Sequence, residues 1–139
     1  MTDCIFCRII AGDLPSTRLY EDDKVLCFLD INPINPGHAL IIPKEHSEFL
    51  SEMSPDYAHP MWEAGRKIAN ALRAADIRCD GVNFLLADGS AAGQEVPHVH
   101  LHVIPRFQND NSGFIFPAGR KAPENVEWNR IAESIRKNV

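Results

Sequence analysis

His98-Val99-His100-Leu101-His102-Val103 is the stretch on which the reading of this fold turns. Successive side chains of a β-strand point to opposite faces, so the run predicts a strand with three histidines on one side and Val99, Leu101 and Val103 on the other. The aliphatic side belongs in a core and the imidazole side in a site. Neighbouring histidines on such a face stand about 6.5–7 Å apart, room for a phosphate-sized group between them. A helix would scatter the three around its circumference. Histidine brings no packing or strand-propensity gain here, which leaves two functional readings. One is a metal site, since imidazole suits zinc, copper, iron and nickel; the other is acid–base and nucleophilic work on a substrate.

On the N-terminal side, residues 17–21 and 24–29 read as two short strands around Asp22-Asp23, and residues 39–42 as a third after Pro36-Gly37. Met61, Ala64, Ile68, Ala71, Leu72 and Ala75 recur at the spacing of one buried helical stripe. Ser54-Pro55 has the form of a helix start, but Pro60 removes a backbone donor, which moves the expected start of regular helix to near residue 60. Residues 82–86 read as a fourth strand and the histidine run as a fifth, joined by residues 87–95, a connection long for a hairpin and rich in small residues. Beyond Pro105 the chain turns irregular through 107–122, and Trp128, Ile131, Ala132 and Ile135 mark a short C-terminal helix. The class is α+β: an antiparallel sheet with a helix on one face.

A chain of 139 residues with 45% hydrophobic composition fits one domain, residues 1–139, with a core of its own. A net charge of −5 without a long basic block argues against nucleic acid as a partner. No apolar run is long enough to span a bilayer, and the N-terminus has no export signal, so no membrane partner and a cytoplasmic location are expected. In that reducing setting the four cysteines are not expected to form disulfides. Cys27 and Cys79 read as small buried or half-buried apolar residues. Cys4-Ile5-Phe6-Cys7 stays open among a zinc half-site, a redox pair and plain burial. Any further metal ligands would come from His38, His46, His59, His98, His100 and His102 through the fold, because the spacing matches no zinc-finger pattern.

The chain resembles the histidine triad family of nucleotide hydrolases and transferases. The resemblance rests on His-x-His-x-His, on residues 92–96 just before it, on residues 37–46 (Gly-His-Ala-Leu-Ile-Ile-Pro-Lys-Glu-His) and on the opening Cys-Ile-Phe-Cys-Arg-Ile-Ile-Ala-Gly. These blocks run in family order over a core of residues 4–106, leaving 107–139 as a C-terminal extension. The resemblance implies a five-stranded antiparallel sheet with a long helix, paired in a homodimer into a ten-stranded sheet. It also implies that His100 attacks the α-phosphorus of a nucleotide, giving a nucleotidyl-histidine that water cleaves. His102 would serve the phosphate and the leaving group, and His38 would lie behind the nucleophile and fix its tautomer. His98 would instead join Cys4, Cys7 and His46 around a structural zinc. Asp30 would hold the ribose, Ile5, Phe6, Ile9, Phe28 and Ile31 would line a slot for a purine base, and Gln94, Glu95 and Val96 would lie along the phosphates.

Two positions depart from the family pattern. Ala87 stands where many members carry asparagine, and Glu95 where others carry serine. An ionised Glu95 cannot donate to a phosphate, so its side chain is expected to turn away and the backbone N–H groups of 93–96 to carry that load. The implied activity is hydrolysis of nucleoside phosphoramidates or dinucleoside polyphosphates. Transfer to another acceptor through the same intermediate, or a non-catalytic zinc-stabilised nucleotide-binding module, are the alternatives. Residues 107–122 are where substrate specificity is expected to be set.

Overall fold

The computed structural model describes residues 3–113 and 118–139. Five strands, β1 (Arg18–Glu21), β2 (Val25–Leu29), β3 (Ala39–Pro43), β4 (Gly81–Leu85) and β5 (Leu101–Arg106), form one sheet in the order β1-β2-β3-β5-β4. Each neighbouring pair is antiparallel. Helices α1 (Ile5–Ala11), α2 (Ala58–Ala74) and α3 (Asn125–Arg136) complete the fold. The alternation in the sequence sorts side chains between two cores. Val25, Cys27, Ala39, Ile41, Val99, Leu101 and Val103 pack with the apolar stripe of α2. Leu26, Phe28, Leu40 and Ile42 pack on the opposite side with Phe6 and Ile9 of α1. Both faces are therefore covered, where the sequence suggested one.

α1 was not expected. It is short, but Cys4 caps it by accepting from the Cys7 amide, in the role that serine or aspartate more often fills. Gly12 ends it at φ 84°, donating back to the Arg8 and Ile9 carbonyls. α2 starts at Ala58, ahead of Pro60, because a proline in the first turn forfeits only an amide that has no helical partner there. Ser54 caps a preceding single turn over Pro55–Tyr57.

The ladder of β5 begins at Leu101 rather than at His98, since pairing with β3 runs only over Ala39↔Val103, Leu40↔His102 and Ile41↔Leu101. His98–His100 lead into it, tied down by the Val99 amide donating to the Ser47 carbonyl at 2.8 Å. Pro105 lies inside the strand but past the last residue paired with β3, where the lost donor is tolerated. α3 forms as expected, yet none of its residues is buried, and Trp128 is 57% exposed. Of the irregular stretch 107–122, residues 114–117 lie outside the described residues. Among the described residues no helix is long and apolar enough to cross a membrane.

Candidate active site and metal centre

The histidine face of β5 is the face that α1 covers, and this brings the N-terminal cysteines to the start of the histidine run. Cys4 Sγ lies 3.4 Å from His98 Nδ1, Cys7 Sγ 3.3 Å from His46 Nδ1 and 3.7 Å from His98 Nδ1, and the two Nδ1 atoms are 3.2 Å apart. All four donor atoms fall within 4.8 Å of one another. A tetrahedral ion bonded at about 2.3 Å to sulfur and about 2.1 Å to nitrogen, the lengths for zinc, sets S···N edges of about 3.6 Å and an N···N edge of about 3.4 Å. The donor set fits, and these four residues could hold a metal ion. His98 is completely buried, and its Nε2–H donates to the Pro43 carbonyl at 2.9 Å, which leaves Nδ1 unprotonated toward the cysteines.

His100 follows two residues later and 5% exposed. Its Nδ1 is 2.7 Å from the His98 carbonyl, an oxygen that can only accept, so Nδ1 carries the proton and Nε2 is left with its lone pair. Phe6 of α1 meets the His100 ring edge-on, with centroids 5.2 Å apart and planes at 82°. The His102 ring centroid is 4.9 Å away, with the two planes at 60°.

His102 belongs to a second chain of hydrogen bonds. The Ile34 amide donates to His38 Nδ1 at 3.0 Å, which puts the His38 proton on Nε2, and that atom is 2.9 Å from His102 Nδ1. His102 Nδ1 thus accepts, and its own proton sits on Nε2. Burial, then the neighbouring His100 and His38, bring the His102 imidazole down to about 4, and burial lowers His38 as well, so both are neutral near pH 7. His38 therefore contacts His102, not His100 as the resemblance implied. The nucleophile candidate is oriented by main chain instead. Asp30 Oδ2 is 3.6 Å from His38 Nε2, so Asp30, His38 and His102 cluster closely enough to suggest a second metal site. The Ile34 amide argues against that use, because it keeps a proton on the His38 nitrogen that would have to bind the ion.

The residues expected around a nucleotide are only partly brought together. Phe6, Ile9 and Phe28 are buried in the α1-side core, with Phe6 and Phe28 in edge contact. Ile5 is half exposed and Ile31 is 91% exposed, so these two do not close an apolar slot with the others within this chain. Asp30 Oδ1 accepts from the Asn32 amide at 2.8 Å in a local turn. Gln94 differs most from expectation: Oε1 accepts from the Gly89 amide at 2.7 Å, and Nε2 donates to the Glu48 and Val96 carbonyls at 2.8 and 3.1 Å. Its amide braces the loop before the histidines, leaving neither end to bridge to a scissile oxygen. Glu95 is exposed, as its charge requires, and Val96 packs against the α1-side core.

Two residues that matter to this geometry escaped the sequence reading. The buried Asn35 carbonyl accepts from the His38 amide at 3.0 Å, and the Asn35 side-chain amide donates to Asp110 at 2.8 Å. Asn35 lay hidden in a turn segment, where asparagine is common for local reasons. Asp110 had a faint signal in its neighbours Asn109 and Asn111, both at positive φ.

Comparison with known proteins places these features in a family. The HIT domain model matches residues 11–109. An uncharacterized HIT-like protein of Borreliella burgdorferi is 48% identical over the whole length of both chains. Adenylylsulfatase HINT3 of Arabidopsis thaliana is 46% identical over 78% of this chain, which spans 54% of that protein. A Zn-bound histidine triad family protein from Mycobacterium smegmatis superposes with a TM-score of 0.78 at 40% identity, covering 96% of this chain and 92% of its own. With the five-stranded antiparallel sheet, the Cys-x-x-Cys cluster and the histidine run in their expected places, the chain belongs to the HIT family.

Proposed function

We propose that this chain is a nucleotide hydrolase that acts at the α-phosphorus through a covalent intermediate on His100. The observation that carries the reading is the His98 carbonyl on His100 Nδ1, which leaves a neutral Nε2 lone pair beside a second, protonated Nε2 on His102. In the first step His100 Nε2 forms a bond to phosphorus and the bond to the leaving group breaks, while the His102 Nε2–H donates a hydrogen bond to the departing atom, which leaves as its anion or takes a proton from solvent. Water then attacks phosphorus, the phosphorus–nitrogen bond breaks to return neutral His100, and the water's proton passes to solvent. His102 is suited to this hydrogen bond because His38 fixes its tautomer from behind. The Arabidopsis relative's name, adenylylsulfatase, supports an adenylyl group as the part retained. Phosphoramidates, dinucleoside polyphosphates and adenylyl sulfate differ only in what departs.

In this reading Cys4, Cys7, His46 and His98 hold a structural zinc, since a set of four protein ligands leaves no position for substrate. The ion ties α1, and with it Phe6, to the residues ahead of β5. Asp30 serves the ribose, and a homodimer supplies the cover that Ile5 and Ile31 lack in the single chain. The test is turnover of an adenosine phosphoramidate by His100→Ala against the parent chain. We expect loss of at least about 10³-fold, as for other covalent nucleophiles, and no nucleotide bound covalently in acid-quenched samples. Activity within a few-fold of the parent would overturn the mechanism, and nucleotide binding without turnover by the parent would leave a binding module.

A further inference from the structure

The segment that follows β5 is joined to the His38–His102 pair through a single buried carboxylate. The Asp110 side chain is 4% exposed. Oδ2 accepts from Arg106 Nε at 2.7 Å, from Asn35 Nδ2 at 2.8 Å and from the Phe107 amide at 3.2 Å; Oδ1 accepts from Arg106 Nη2 at 2.8 Å and from the Ser112 amide at 3.1 Å. The Arg106 guanidinium, with the Ser112, Asn35 and Phe107 donors behind it, holds the carboxyl well below the usual carboxylate range. Asn35 spends its second amide hydrogen on the Pro105 carbonyl at 2.9 Å, so one of its donors is fixed to β5 and the other to the segment that follows it. The same residue's carbonyl receives the His38 amide, and the adjacent Ile34 amide points at His38 Nδ1. Asn35 and Ile34 thus set the height and the tautomer of the His38 ring, and Asp110 sets Asn35.

We infer that Asp110, acting through Asn35, is a positioning residue that keeps His38 in its Nε2–H form and so keeps His102 able to donate from Nε2. The inference rests on the hydrolase reading for its effect on turnover, but not for its effect on the rings. An isosteric Asp110→Asn change replaces one carboxylate oxygen by an NH2 group, and in either orientation that group faces an Arg106 donor, Nε with Asn35 Nδ2 beside it at the Oδ2 position or Nη2 at the Oδ1 position, so the pairing that seats Asp110 against Asn35 is lost. The Asn35 side chain then swings from β5, the Ile34 amide leaves His38 Nδ1, and the His38 proton is free to choose either nitrogen.

The experiment uses the full chain, zinc content as purified, labelled with 15N in histidine, and reads imidazole tautomers by long-range proton–nitrogen NMR near pH 7.5. In the parent, His38 and His102 should each give a single Nε2–H pattern and His100 an Nδ1–H pattern. In Asp110→Asn, and equally in Asn35→Ala, the His38 and His102 patterns should become mixed while His100 keeps its own. With a turned-over nucleotide, kcat should fall about 10- to 100-fold with KM little changed, the signature of a misplaced group in the transition state. If the parent turns nothing over, the hydrolase reading fails and the tautomer patterns still decide this one. Folded variants with parental tautomers would overturn it. So would failure of both variants to fold, which would make the network a determinant of folding instead of one of ring position.

Discussion

Gly37 sits between the Asn35 turn and His38 at φ +98°, a backbone conformation that costs a residue with a side chain roughly 1–3 kcal/mol. A Cβ placed there would stand 2.7 Å from Ile77 Cδ1, 3.1 Å from Leu72 Cδ2 and 3.3 Å from Pro105 Cγ. The two closest atoms are the ends of movable side chains, so the packing cost belongs at the low end of the range of about 1–3 kcal/mol for overfilled cores. Against this, alanine makes the unfolded chain less flexible and returns about 0.4–1 kcal/mol. Gly37→Ala should therefore destabilise by about 1–3.5 kcal/mol, a substantial share of the roughly 5–15 kcal/mol by which domains of this kind are stable. At about 3–4 °C per kcal/mol for this size, the midpoint of thermal unfolding should drop by about 3–14 °C. Urea unfolding should show the same loss through a lower midpoint with an unchanged slope. A thermal midpoint within about 2 °C of the parent, well inside the scatter of ordinary surface changes, would refute the reasoning: either the strain at positive φ or the contact with Ile77 would have to be absent.

Three further outcomes follow from the site. Burial holds His102 at about 4 in the folded chain against 6.5 for a free imidazole, so between those values the unfolded chain binds the proton and the folded chain does not. Stability contributed at this position is thus complete above pH 6.5 and lost as pH falls toward 4, at up to about 1.4 kcal/mol per pH unit; His102→Asn should flatten the dependence of the urea midpoint on pH over that window. Removing metal with a strong chelator should lower the thermal midpoint of the parent, and Cys4→Ser should both reduce the metal measured by elemental analysis and leave the midpoint insensitive to chelation. Gln94→Ala strips three hydrogen bonds from the loop before the histidines, and should cost about 1–3 kcal/mol in urea unfolding, whereas Glu95→Gln at the exposed neighbouring position should stay within about 0.5 kcal/mol.

The face parity of His98 to Val103 was legible because a period of two survives wherever chain is extended, whether or not a neighbour pairs with it. That is why the alternation held for His98 and His100 although the ladder starts only at Leu101. The strands and most of the stripe of α2 were legible because their apolar positions repeat, but Ala71 and Ala75 are exposed, and Gly65 and Ala69 take the buried places instead. α1 was not, because seven residues with cysteine as the cap give too short a pattern to count. The partner of His38 was hidden too: it depends on which imidazole a turn of six residues carries it toward, and on the Ile34 amide, a group every residue but proline possesses. Gln94 and Ile31 show the limit of carrying roles over by position. One has its amide engaged by main chain, and the other faces outward from the single chain.

His98 answers to two demands with two different parts of itself. Its ring faces the cysteines, and its carbonyl oxygen orients His100. Only the ring is written in the genetic code at that position, for the oxygen comes with any of the twenty residues. Descendants can accordingly exchange this histidine and give up whatever ion the cysteines could hold with it without surrendering the orientation of the neighbouring imidazole, so the capacity for metal and the set of the His100 ring are free to part company over evolutionary time.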